Sequence, residues 1–392
     1  MGPLSDTAST RSWGEANLLE DPSLNALAQL WNHQRYRLAL YQGIALALLL
    51  ASTLWLGHNT WLNLKERGIQ SGFDFLFDTA GFDIGETFLI AFDGSQSYWR
   101  AFLVGVLNTL KVSACGLVLA SLLGLMIGLG RTSSSVLAKF ICSAYVELIR
   151  NVPLMIQLLM WYVLLVEYLP HATEPYRWFD HIYLSQEGLA YPGLLWLQST
   201  DSNGLAYSQW IWDRPIFDEQ GVHSEFNLSP EFLSLAIALS LYTSAFIAEI
   251  ARAGIQSVAK GQIEAAQSLA LTPWEIKRFV VLPQAARMVV PPLTNQYLNL
   301  VKNSSLAVVV GYPDVVNIAN TALNQTGRAL ECISVLMAVY LMFSLLIAWA
   351  MNKTNDKARR YLQKEKNTPT KRPGLHSTSL TSSTTRGKSS PP

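Results

Sequence analysis

KGQIEAAQSLALTPWEIKRFVVLPQAARMVVPP, residues 260–292, lies between two strongly apolar stretches, yet it carries Lys260, Glu264, Glu275, Lys277, Arg278 and Arg287. A membrane-spanning helix needs roughly 20 predominantly apolar residues, and no window of this segment before Arg287 offers them. Its first part, KGQIEAAQSLA, consists of strong helix formers with two small residues, Ala265 and Ala266, side by side. TPWE reads as a helix start, with Thr272 as N-cap, Pro273 in the first position and Glu275 in the third. Ile276, Phe279, Val280 and Leu282 give the second helix an apolar side, and Pro283 is expected to end it. The expectation is a knob of two short helices joined by a tight turn, with small alanines that admit close docking of another protein.

Outward from this knob the chain is built of apolar blocks. Half of the 392 residues are apolar and only 15% are charged. Six spans are expected, at 38–57, about 101–130, about 137–169 (its first half an amphipathic lead-in), 232–254, about 286–310 and 331–351. The first is preceded by 37 residues and is too long for a signal-peptide core, so it reads as a retained helix. The net charge of +1 gives no field for nucleic acid. Cys115, Cys142 and Cys332 all sit in or beside apolar blocks, where small packing residues are expected rather than a disulfide framework.

Lys and Arg near span ends set orientation. Arg35 and Arg37, Arg131 and Lys139, Arg252, Lys260, Lys277 and Arg278, and the tail from Lys353 to Lys366 all fall on one side, with both termini cytoplasmic. The other side is acidic: 58–99 has two basic residues against six acids, and 170–231 has Arg177 and Arg214 against nine. The second of these loops, rich in Trp, Tyr and Pro, reads as a small folded cap or an aromatic outer surface. From Thr368 the tail is Ser/Thr/Pro/Lys-rich and reads as disordered.

In the second span Gly116, Ala120, Gly124 and Gly128 recur every four residues, the spacing that lets two helix backbones approach closely in lipid. Charges at bilayer depth face a bundle interior, an aqueous cavity or each other. Glu147 with Arg150, and Glu249 with Arg252, are spaced for structural pairing. Asn108, Lys111, Lys302, Asn303 and Ser304 are candidates for a translocation path, the last three following the double proline Pro291–Pro292. No catalytic constellation and no metal-ligand spacing emerges. Gly387–Lys388–Ser389 imitates the end of a P-loop, but Ser382 stands where its first glycine is needed.

The 260–283 stretch resembles the EAA loop of ATP-binding-cassette (ABC) importer permeases: Gly261, Glu264, Ala265 and Ala266, Ala270 where glycine is usual, Val280 where isoleucine is usual, then Leu282 and Pro283. LNTLKVS, YVELIRNVPLMIQ, the 228–258 segment, LPQAARMVVPPLTNQYLNLVKNSSLAVVVGYPDV and LNQTG resemble the polar amino-acid permease group, and FLFDTAGFDIGETF the general or neutral L-amino-acid branch. The resemblance covers about residues 35–352. It implies an all-α polytopic membrane protein of the type I ABC importer permease fold in the bacterial cytoplasmic (inner) membrane. Its parts are a cytoplasmic arm (1–37), a first helix with its periplasmic loop (38–100), a permease domain (101–352) and a basic tail (353–392). The permease domain carries a periplasmic insertion at 170–231 and the coupling loop at 257–283. The implied partners are ABC ATPase subunits, which hold the ATP and Mg that this chain does not, a second related permease and a periplasmic amino-acid-binding protein. The alternatives are an ion-coupled secondary transporter or channel, or a membrane enzyme or sensor using the 170–231 loop.

Overall fold

The computed structural model describes residues 34–366, apart from 67, 69–70, 180, 201–205 and 219–220. The arm before residue 34 and the tail after 366, including the stretch read as disordered, lie outside the described residues. The chain forms two units, divided between Ser71 and Gly72. The first contains α1 (Gln34–Glu66), a single helix whose apolar side chains are exposed along its length.

The second unit is a helical bundle. α2 (Tyr98–Arg131) and α5 (Pro230–Gln256) cross at its centre. Around them stand α3 (Val136–Asn151), α4 (Leu154–Tyr168), α8 (Leu282–Asn303), α10 (Val315–Thr326) and α11 (Ala329–Lys366). Between α5 and α8 lie α6 (Lys260–Ser268) and the single turn α7 (Pro273–Glu275), and α9 (Ala307–Val310) precedes α10. Among the described residues four helices are long and apolar enough to cross a membrane, rising to six if each of two bent pairs is one span. The chain is a multi-pass membrane protein.

Glycine explains why α2 and α5 lie so close. A Cβ on Gly124 would stand 2.6 Å from the Ile247 Cβ and 2.9 Å from the Ser244 carbonyl oxygen. One on Gly128 would meet the Ala251 Cβ at 2.7 Å, and one on Gly116 the Leu300 side chain at 3.4 Å. Ala120, on the same stripe, is fully buried.

Three details add to the sequence expectation or depart from it. The 137–169 segment bends by 103° at Val152–Pro153, so its lead-in and its apolar part are separate helices. Pro153 cannot continue α3, and the Gln157 amide donates to the freed carbonyls of Ile149 (2.8 Å) and Val152 (2.9 Å), so the break is satisfied internally. Pro283 does not end a helix: Ile276–Val281 is a π-helical stretch that leads without interruption into α8. A wider turn absorbs the hydrogen bond that Pro283 cannot donate. Pro291–Pro292 likewise lie inside α8, and the interruption falls later, at the 3₁₀ turn Ser304–Leu306.

The 170–231 insertion holds all the named strands. β1 (Tyr176–Trp178), β2 (Ile182–Ser185), β3 (Gly188–Ala190) and β8 (Asn227–Leu228) form an antiparallel sheet in that order. β4 (Gly193–Thr200) pairs with β5 (Ala206–Asp213), and β6 (Ile216–Asp218) with β7 (Gly221–His223). The insertion is thus a small folded cap on an otherwise helical protein.

Candidate functional site

α6, α7 and the π-helical stretch fold around a small core of their own. Val258, Ala266, Ile276 and Val281 are buried there, with Ile255, Ile263, Leu271 and Val280 packed against them. Of the two adjacent alanines, Ala266 faces inward and Ala265 faces out beside the exposed Glu264. Ala270 makes the turn in the left-handed region, φ 57°, the conformation for which glycine is the usual choice. The expected capping box is present: the Thr272 hydroxyl accepts from the Glu275 amide at 3.3 Å, and Glu275 accepts from the Thr272 amide at 2.8 Å. The Thr272 backbone bond, then its hydroxyl, hold the Glu275 carboxyl below its ordinary pKa. Leu269, Trp274 and Phe279 are 76%, 66% and 64% exposed. An exposed apolar rim of this kind is where a protein or a membrane surface can meet a loop. Gly261 lies in the first turn of α6, where an added Cβ would have no neighbour within 4 Å outside the helix's own backbone. Leu282 is exposed and Pro283 half-buried where the loop joins α8.

Where the knob leaves the bundle, α5 and α8 lie in close contact. A Cβ on Gly254, near the end of α5, would stand 2.4 Å from the Val289 side chain of α8. One turn deeper, Glu249 bonds both Arg131 of α2 and Arg252. The Glu249–Arg252 pairing read from sequence forms, and Arg131 joins it. Glu147 and Arg150 form no such pair; the Arg150 guanidinium instead lies 5.0 Å from the Phe246 ring centre.

The five path candidates are not one cluster. At the opposite end of the bundle, Asn108 is fully buried and its amide donates to the carbonyls of Glu86 and Pro313, each at 2.9 Å. Lys111 bonds the Glu86 carboxylate at 2.5 Å, and Ser229, the N-cap of α5, holds its other oxygen at 2.5 Å. Asn108 and Lys111 thus fix the 72–97 loop onto α2, α5 and the start of α10. Ser304 is buried and turns its hydroxyl back to the Val301 carbonyl. Lys302 is exposed and Asn303 half-exposed. Sequence reasoning missed the companions of Lys302. Asn295 and Asn299 are also exposed and lie seven and three residues before it, on one face of α8. A search for polar residues at helical spacing would have found them. Polar groups on a spanning helix face a cavity or a neighbouring subunit, not lipid.

Comparison with known proteins bears on this geometry. Residues 120–361 match the family model described as binding-protein-dependent transport system inner membrane component. The general L-amino acid transport system permease protein AapQ of Rhizobium johnstonii is 38% identical over 370 residues, covering 82% of this chain and 92% of that protein. The putative amino-acid ABC transporter permease protein YhdX of Escherichia coli is 41% identical over 366 residues, covering 81% and 93%. The glutamate/glutamine/aspartate/asparagine transport system permease protein BztB of Rhodobacter capsulatus is 35% identical over 410 residues, covering 85% and 96%.

Proposed function

This chain belongs to the family of binding-protein-dependent transport system inner membrane components, and from that premise we propose that it is the permease subunit of an ATP-driven ABC importer of amino acids. It is a transport component, not an enzyme. It has the type I permease fold and sits in the bacterial cytoplasmic membrane. The energy comes from ATP and Mg bound on partner ATPase subunits, and a periplasmic binding protein delivers the cargo. A second, related permease completes the passage. General or neutral L-amino acids are the substrate class that the similarity to AapQ supports best.

One observation carries the mechanical part of this reading: the 257–283 loop has its own core and an outward apolar rim, and it is continuous with α5 and α8. Moving a two-state equilibrium from 1:99 to 99:1 takes about 5.5 kcal/mol of differential interaction. A chain without a nucleotide site must receive that bias through a contact. A partner that grips Glu264, Ala265 and the Leu269–Trp274–Phe279 rim pulls directly on the two helices leaving the loop. The exposed Asn295–Asn299–Lys302 face of α8 would then line the passage or meet the second permease.

The test is co-purification with uptake. Wild-type chain should retain the ATPase and support ATP-dependent uptake in vesicles. Glu264→Lys or Ala265→Trp should release the ATPase while the chain still inserts. Uptake driven by an ion gradient alone, with no ATPase retained, would favour a secondary transporter.

A further inference from the structure

The 170–231 cap has two unlike sides. In β1, alternation turns Arg177 to the side opposite Tyr176 and Trp178. Arg177 is stacked 4.0 Å from the Phe217 ring centre of β6, and Tyr183 stacks on the same ring. Tyr183, Ser185 and Ala190 are buried on that side, and Val222 of β7 lines a small cavity with them. The β6–β7 hairpin therefore covers one face of the four-stranded sheet. Its outer surface carries the exposed Asp218–His223 pair.

Nothing in the strand register covers the other face so completely. Tyr176 stands opposite Leu184, Leu184 opposite Leu189, Leu189 opposite Leu228, and Trp178 opposite Ile182. Facing pairs share a side, so these residues form one apolar surface without a charge. Tyr176 and Trp178 are 56% and 52% exposed, and Ile182, Leu184 and Leu189 are half-buried. At the tip of the β1–β2 hairpin Phe179 is 91% exposed in a left-handed backbone, φ 54°. A bulky residue adopts that conformation only at a cost. The row ends at Leu228, which packs against the core of the helical bundle, two residues before α5 begins. The cap is tethered at both ends to helices, at Tyr168 and at Pro230.

We propose that this sheet face is a membrane-seated surface: Tyr176, Trp178, Phe179, Ile182, Leu184 and Leu189 lie in the headgroup region of the outer leaflet, and the β6–β7 layer faces water. Three features select lipid over a protein partner. The face runs down to the bundle at Leu228, it carries no charge among the described residues, and it is edged by Trp and Tyr, the residues that sit at membrane–water interfaces. The nine acids against two arginines in 170–231 then have an aqueous side to occupy. This seating would hold the cap beside the passage instead of over it. The inference rests on the multi-pass reading and on the cap lying on the outer side.

Nitroxide labels at Trp178→Cys, Asp218→Cys and Leu345→Cys in the full chain, reconstituted in phosphatidylethanolamine–phosphatidylglycerol vesicles, test it through collision rates with oxygen and a nickel chelate. The oxygen-to-chelate collision ratio at 178 should exceed that at 218 several-fold and fall short of that at 345. Chelate access at 178 equal to that at 218, or no access to either reagent at 178, would overturn the proposal, the latter by assigning the face to a protein neighbour. Leu345, exposed on α11, reports insertion independently. A chelate-accessible label there would overturn the membrane reading itself.

Discussion

Removing either partner of the Glu86–Lys111 pair should damage the protein more than removing both. The two side chains are only 11% and 15% exposed. Lys111→Met leaves Glu86 with Ser229 as its remaining side-chain partner. Glu86→Gln leaves the ammonium facing the Phe232 and Phe88 rings, whose centres are 4.6 and 5.6 Å away. Breaking a buried pair by removing one member typically destabilises by about 3–5 kcal/mol, because a charge is left uncompensated, whereas replacing both members is often close to neutral. The double variant Glu86→Gln/Lys111→Met should therefore recover most of the loss, with a coupling energy at the upper end of the ~0.5–3 kcal/mol seen for contacting residues. Thermal unfolding of the purified chain and its variants in detergent gives the cycle. Losses that add to within about 0.5 kcal/mol would show that the two charges act independently, and the anchoring of the 72–97 loop by this pair would be refuted.

The seam between α2 and α5 makes a second, contrasting pair of outcomes. Gly124→Val meets Ile247 and the Ser244 carbonyl at once and should destabilise by about 1–3 kcal/mol or more, whereas Gly261→Ala, with nothing within 4 Å, should leave thermal stability and membrane expression unchanged. Ala270→Gly relieves a left-handed alanine and should stabilise the loop by roughly 1 kcal/mol, read as slower amide exchange over 260–283; faster exchange would contradict the turn geometry. The Arg328 guanidinium hydrogen-bonds Asp74 and holds its carboxyl below the ordinary value. A depressed carboxylate stabilises above its unfolded pKa, about 3.9, and that stabilisation is lost as pH falls through the folded value. Protease access to residues 72–97 should thus stay flat from pH 8 to 5 and rise only below about pH 4, and Asp74→Asn should reduce the acid-dependent step, with Asp93, held low by its bonds to Ser95, supplying the rest.

The fold of the 257–283 loop was the most legible part of the sequence because its signals are local. Thr272–Pro273–Glu275 reads as a helix start from its own residues, and the turn at Ala270 is marked by the resemblance, which has glycine there. The small-residue stripe of α2 was legible for the same reason, a fixed period within one helix. Contacts across the chain were not. Glu86 sits in a loop 25 residues before Lys111 and 143 before Ser229, and no spacing rule links the three. Gln157 is an ordinary residue in an apolar run until Pro153 is seen to bend the chain by 103° and leave carbonyls for it to satisfy. Proline misled in the opposite direction. Pro283 reads as a stop, yet a π-helical stretch leads through it into a continuous α8.

The most direct test of the coupling claim is a crosslink from the loop. Ala265→Cys or Leu269→Cys, both exposed, should be labelled by an impermeant thiol reagent only from the cytoplasmic side. In the assembled complex they should crosslink to the ATPase subunit, with a yield that changes on adding ATP. Labelling from the outer side, or an assembled, active transporter in which neither position reaches the ATPase, would contradict it.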